Sequence, residues 1–186
     1  TNFFGMFKFF DGLEQIELSL DNYIEKADSM FYSCEALKRI IFTKPLDLRG
    51  ASNLFGLFLN CKSLAYIDLS NIITSNLLND ISNMFCSCSS LKEVNFGNNF
   101  SSENIANMDN LFHNCINLEK INWTDLHQFT SVLCMSNTFA NCKRLMQLDL
   151  RGFYFNNIKD TTNMFSNTNP NLEVLVNNSF TEEILL

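Results

Sequence analysis

The stretch MFCSCSSLKEVNF, residues 84–96, decides how the chain is read. Its Cys86-Ser87-Cys88 element could be a metal clip, a redox site, half of a disulfide or a piece of packing. The rest of the sequence answers by repetition. Cys34, Cys61, Cys88, Cys115 and Cys142 stand 27 residues apart. Three places after each comes Leu37, Leu64, Leu91, Leu118 or Leu145, a column that continues to Leu172. Three further on stand Ile40, Ile67, Val94, Ile121 and Leu148, continuing to Leu175, and two beyond those Phe42, Leu69, Phe96, Trp123 and Leu150. Three places before each cysteine is Phe31, Phe58, Phe85, Phe112 or Phe139, and Phe165 follows after 26 residues. With a backward step of 24, Phe7, Phe10 (in the cysteine column), Leu13, Ile16 and Leu18 make a first unit. The unit F-x-x-C-x-x-L-x-x-[IVL]-x-[FLW] thus recurs about seven times, and self-similarity at a fixed period marks a stacked array.

Spacing then predicts shape. The alternation in LAYIDL (64–69) and LMQLDL (145–150) is that of a short strand with one buried face. Upstream, Ile81, Met84, Phe85 and Cys88, like Ile105, Met108, Leu111, Phe112 and Cys115, are spaced by three and four, which predicts a short one-sided helix. One such unit cannot bury its own apolar face, so units must stack in register around a shared core. Strands of successive units would lie about 4.8 Å apart in one parallel sheet. The expected fold is an α/β solenoid, a single domain over residues 1–186 with about seven ~27-residue units, one parallel sheet and short helices opposite.

The columns resemble leucine-rich repeats, and the stretches SNMFCSCSSLKEVNF (82–96) and IDLSNIITSN (67–76) resemble more closely the BspA-like class of bacterial surface lipoproteins. The approach to the phenylalanine departs from that class in forms such as ISNMF and MDNLF, and the last unit has Thr168 in place of its cysteine. The resemblance implies a leucine-rich-repeat solenoid and a cell-surface or secreted module used for adhesion or protein contact. It implies no defined ligand.

Cys88 belongs to the column, so its side chain should point inward as a small apolar group. Cys86 shares a different column with Tyr32, Leu59, His113 and Ala140, so the two sulfurs should not act together. A zinc site would need more ligands nearby, and His113 and His127 are not at ligand spacing. Stacked units would hold column Cβ atoms roughly 5 Å apart, against the ~3.8 Å that a disulfide requires. A ladder of buried free thiols is the favoured reading. Cys134 shares a column with Lys26, Asn53, Asp80 and Asn107 and should be exposed.

Composition narrows the function classes. The formal net charge is −7, with no Lys/Arg cluster of the density that a nucleic-acid footprint needs, so nucleic acid is not an expected partner. No apolar run approaches membrane-spanning length. The amino-terminal TNFFGMFKFF lacks the pattern of a signal peptide, and both ends look uncapped, so the chain reads as a segment of a longer one. The 27 asparagines, against six glycines and two prolines, should turn the corners, since asparagine tolerates left-handed backbone. The column Asn83, Asn110, Asn137 and Asn163 is expected to form an amide ladder.

No nucleophile–base pair or phosphate loop is present, so neither an enzymatic activity nor a cofactor is expected. His113 should be solvated, and the Glu182-Glu183 pair reads as solvated charge. The outward sheet positions are the candidate protein-binding residues: Arg39, Tyr66, Asp68, Glu93, Asn95, Lys120, Asn122, Gln147 and Asp149. Asp68→Lys with Asn122→Lys is then the pair of changes expected to weaken partner binding without unfolding. Ile41, Val174 and Val176, apolar toward the ends, would lie on the same side, where further repeats or caps rest. The expected function is protein binding at a cell surface or in a secreted protein, with a cytoplasmic scaffold as the alternative.

Overall fold

Seven phenylalanine rings (Phe7, Phe31, Phe58, Phe85, Phe112, Phe139 and Phe165) stack face to face along one axis, with centroids 5.3–6.1 Å apart and ring planes within 15°. They mark six steps of a parallel solenoid in the computed structural model, which describes residues 1–123, 126 and 128–177. The interior five are fully buried, whereas Phe7 and Phe165, at the two ends of the stack, are half-buried, Phe7 also meeting the Phe10 ring edge-on at 6.5 Å. A second aromatic cluster, built on Phe96, Phe100, Trp123, Phe129 and Phe153, fills the core beyond the strand ends.

The strands, in chain order, are β1 (Gln15–Leu18), β2 (Arg39–Phe42), β3 (Leu46–Asp47), β4 (Tyr66–Asp68), β5 (Ile72–Ile73), β6 (Glu93–Asn95), β7 (Lys120–Asn122), β8 (Gln147–Asp149) and β9 (Glu173–Leu175). All pairings are parallel, and each joins one coil to the next. The expected single sheet is instead a ladder with two breaks: β1-β2, then β4-β6-β7, then β8-β9, with β3-β5 as a separate lateral pair. The first break falls beside Thr43-Lys44-Pro45, where Phe42 to Leu46 holds one residue more than Leu69 to Ile72. Pro45 in that segment has no N–H to donate. The second break falls at Trp123, whose indole Nε1 donates to the Asp149 carbonyl at 2.7 Å. One coil earlier, the equivalent carbonyl of Asn122 takes the backbone N–H of Phe96 at 2.9 Å.

The short helices are absent among the described residues, where the only helical element is a single 3₁₀ turn at Phe155–Asn157. The apolar spacing is still obeyed, since Ile81, Met84, Phe85 and Cys88 are all buried. The backbone that carries them is different. Asn83 and Ser87 are left-handed, at φ 58° and 62°, and this breaks any right-handed run every fourth residue. The N–H groups of Ile81, Asn83, Phe85 and Ser87 donate to carbonyls of the next coil at 2.7–3.1 Å, while Met84, Cys86 and Cys88 close tight turns onto the residue three back. A helix would need all of those donors for itself. The wall opposite the strands is therefore a stack of turns bonded coil to coil.

Left-handed residues form two complete columns. One runs through Gly5, Ser29, Gly56, Asn83, Asn110, Asn137 and Asn163, the other through Phe9, Ser33, Asn60, Ser87, Asn114, Asn141 and Asn167. The first column is not the expected amide ladder. Asparagine serves there because it tolerates positive φ at low cost. Side-chain bonds between coils occur in the second column instead, as from Asn141 Nδ2 to Asn114 Oδ1 at 2.7 Å.

The cysteine column is buried and hydrogen-bonded, not cross-linked. Each thiol donates to the carbonyl of the phenylalanine one coil earlier: Cys34 to Phe7, Cys61 to Phe31, Cys88 to Phe58, Cys115 to Phe85 and Cys142 to Phe112, at 3.0–3.3 Å. The same carbonyls from Phe31 to Phe112 also accept the backbone N–H of the cysteine three residues on, so both lone pairs are used. Burial pushes the Cys142 thiol up to about 12 and the others of the column upward too, so they stay protonated at neutral pH. Cys86 lies half-buried in its own column, 3.7 Å from the Ser87 hydroxyl. Cys88→Ser is expected to cost about 1 kcal/mol or more by burying a hydroxyl among apolar rings. Cys86→Ser should be neutral. Equal midpoints for the two variants in urea unfolding would contradict this column assignment.

Candidate protein-binding face

The strand register fixes which side chains share the outer face. Tyr66, Glu93 and Lys120 lie in one row, Asp68, Asn95 and Asn122 in the next, because β4, β6 and β7 pair without a slip. Arg39 pairs with Gln15 at one end of the ladder, and Gln147 with Glu173 at the other. Leu18, Ile67, Val94 and Leu148 point to the core. All nine residues expected on this face stand on strands β2, β4, β6, β7 and β8 and are exposed or half-buried.

Their chemistry is not uniform. Asp68 Oδ1 accepts from the Ser70 backbone N–H at 2.9 Å and from Asn95 Nδ2 at 3.0 Å. Asn122 Nδ2 donates to Glu93 Oε1 at 2.8 Å, and Lys120 Nζ reaches the same carboxylate at 3.1 Å. Asp149 is held by Arg151, with Nη2 to Oδ2 at 2.6 Å, and that guanidinium lowers its pKa below the usual carboxylate range. Asp68, Asn95, Asn122 and Asp149 are thus engaged within the face, and Asp68→Lys would break a turn. Of the exposed side chains Arg39, Tyr66, Lys120 and Gln147, with Tyr66 at 51%, Lys120 is tied to Glu93 and Gln147 Nε2 donates to Glu173 Oε2 at 3.1 Å, so Arg39 and Tyr66 are best placed to meet a partner. Partial burial, followed by the carboxylates of Asp68 and Glu93, raises the Tyr66 phenol above its ordinary pKa.

The last strand corrects one expectation. Glu173 pairs with Gln147, Val174 with Leu148 and Leu175 with Asp149, a step of 26 instead of 27. Val174 and Val176 therefore pack against the core and Leu175 takes the outer position. A slip of one residue exchanges the faces of a strand. Ile41 does lie in the outer row, paired with Glu17.

His113 is half-buried, not solvated. Its Nδ1 has no partner among the described residues, and burial lowers its pKa. His127 and Glu182-Glu183 lie outside the described residues. Cys134 does fall in its expected column, bridged to Asn107 and Asp160, but it is half-buried instead of exposed. Where Asn53, Asp80, Asn107 and Asp160 each accept the backbone N–H two residues on, Cys134 cannot, and Asp109 Oδ1 of the previous coil takes the Ser136 N–H at 2.7 Å. Partial burial, then Asp109 and Asp160, raises the Cys134 thiol, which disfavours a reactive thiolate. Among the described residues no cluster of three or more His, Cys, Asp or Glu could hold a metal, and no helix is long and apolar enough to cross a membrane.

The sequence matches no curated protein. Among solved structures, a leucine-rich repeat protein from Bacteroides ovatus ATCC 8483 is similar at 17% identity and a TM-score of 0.24, over 90% of this chain and 58% of that one. The chain thus spans a little over half the length of that protein. The family model described as "Mycoplasma protein of unknown function, DUF285" matches twice, at residues 1–123 and 52–178, and the chain belongs to that family.

Proposed function

We propose that the chain is a non-enzymatic protein-binding module of the BspA-like leucine-rich-repeat kind, carried at a cell surface or secreted, with adhesion as its use. The observation that supports this reading is the strand face: rows of polar and aromatic side chains held in rigid register on successive coils, with Arg39, Tyr66, Lys120 and Gln147 exposed. Extended surfaces of this type recognise partners by many spaced contacts. A net charge of −7 disfavours phosphate-rich partners and makes protein the better match.

Tyr66→Ala with Arg39→Glu is expected to weaken binding of a captured protein partner by roughly tenfold or more, about 1.4 kcal/mol, with no shift of the melting temperature. Unchanged affinity would reject this face as the contact surface. Labelling of intact cells with an impermeant amine reagent addresses location separately. Labelled protein supports the surface reading, whereas protection together with stoichiometric co-purification would favour an intracellular scaffold.

A further inference from the structure

A groove of about 520 Å³ borders the strand face, lined by Lys38, Ser63, Ala65, Ser90, Lys92 and Asn117. These residues come from four successive coils, so the groove follows the stack, and it spans the first break of the ladder, between β2 and β4. Its shape comes from one small side chain. The column that sets Lys38 just before β2 and Lys92 just before β6 puts Ala65 between them, before β4. The Lys92 N–H donates to the Ala65 carbonyl at 2.8 Å, which holds those two coils together. A methyl group between two long cationic stems leaves a notch, with Ser63 and Ser90 along its other side. Asn117 Nδ2 is already committed to the Ser89 carbonyl at 2.7 Å.

The charge around the notch is opposite to that of the whole chain. Residues 35–39, 62–66 and 89–93 hold Lys38, Arg39, Lys62 and Lys92 against Glu35 and Glu93, four positive and two negative charges, in a chain of net charge −7. Lys62 is paired with Glu35 at 2.8 Å and Lys38 with Glu14 at 3.0 Å, whereas Arg39 and Lys92 have no carboxylate partner among the described residues. Glu93 and Glu119, which flank Lys92 in the next positions of its strand and column, are held by Lys120 at 3.1 Å and Arg144 at 3.6 Å. Both side chains of the Lys38–Glu14 pair are exposed, and such a pair exchanges readily for an incoming carboxylate. Tyr66, exposed and next to Ala65, adds an aromatic surface beside the notch.

We propose that the partner of the strand face presents an extended acidic peptide segment to this groove, a reading that rests on that face being the binding surface. Carboxylates of the segment meet Lys38, Lys92 and Arg39, while Tyr66 packs on its aliphatic stems. Lys38 and Lys92 stand two coils apart, about 10 Å along the stack, and an extended chain rises about 3.3 Å per residue. Acidic residues two or three places apart therefore reach both ammonium groups. A nucleic acid would bring its whole charged backbone against a chain of net charge −7, whereas a short acidic segment meets the basic strip alone.

Fluorescence anisotropy with a labelled peptide of alternating Glu and Ser tests the site, with a Gln and Ser peptide as its neutral counterpart. The acidic peptide should bind roughly tenfold tighter or more, and added salt should weaken it. Lys92→Glu should lower its affinity by roughly tenfold or more. Ala65→Trp, which fills the notch at an exposed position with no change of charge, should do the same. Lys159→Glu, the same charge change at an exposed position in the last described coil, should have a clearly smaller effect. All three variants should keep the melting temperature of the unaltered chain. Equal binding of the two peptides, or losses for Lys92→Glu and Ala65→Trp no larger than for Lys159→Glu, would overturn the proposal. Single-stranded DNA of equal charge binding more tightly than the acidic peptide would overturn it too. If Tyr66→Ala with Arg39→Glu still weakens a captured partner, such a result removes only the acidic segment; failure of the face itself shows instead as unchanged partner affinity.

Discussion

Phe85→Ala is expected to cost about 3–5 kcal/mol of stability, the range for emptying a fully buried aromatic site. The ring is fully buried and lies between Phe58 and Phe112, at 5.4 Å from each, with the edge of Phe96 at 6.3 Å. Coils above and below are fixed by their own backbone bonds, so the hole cannot close by a simple collapse. The same change at Phe7, which is half-buried and stacks on Phe31, should cost clearly less. Chemical denaturation of both variants reads the difference. Equal losses, or a loss below about 1 kcal/mol at Phe85, would mean that the ring column is not the spine of the core.

The second large effect concerns backbone, not packing. Asn110 sits at φ 57° in a column that also holds Gly5 and Gly56. Asn110→Gly should change stability little. Asn110→Val should lower it by about 1–2 kcal/mol, because a β-branched residue meets its own carbonyl in the left-handed region. The site does not lack room: a Cβ built on Gly56 meets the Leu59 side chain at an ordinary 3.5 Å. The cost is therefore conformational. If Val were tolerated as well as Gly, the left-handed corner would be absent in solution.

Much of this architecture was readable before any coordinates. The phenylalanine, cysteine and leucine columns follow directly from the 27-residue spacing, because stacked coils place equivalent residues above one another. The outer residues of β4, β6 and β7 were readable for the same reason. The helices were misread because apolar spacing reports which side chains face inward, not how the backbone bonds. The spacing of Ile81, Met84, Phe85 and Cys88 is equally met by tight turns separated by left-handed Asn83 and Ser87. The signal that separates the two cases was present as Gly, Ser or Asn recurring two places before each phenylalanine. The faces of β9 were exchanged because one missing residue can be placed at either side of the strand, and sequence alone does not say which. Engagement of Asp68 by Ser70 and Asn95 is a matter of side-chain geometry that no column reveals.

The nesting of one ring on the next also sets how the molecule should come apart. Phe58, Phe85 and Phe112 are each clasped from both sides, whereas Phe7 and Phe165 are half-open. Melting should then begin as fraying at the termini and travel inward like an unzipping seam, with amide exchange slowest near Phe85 and quickening toward both extremities.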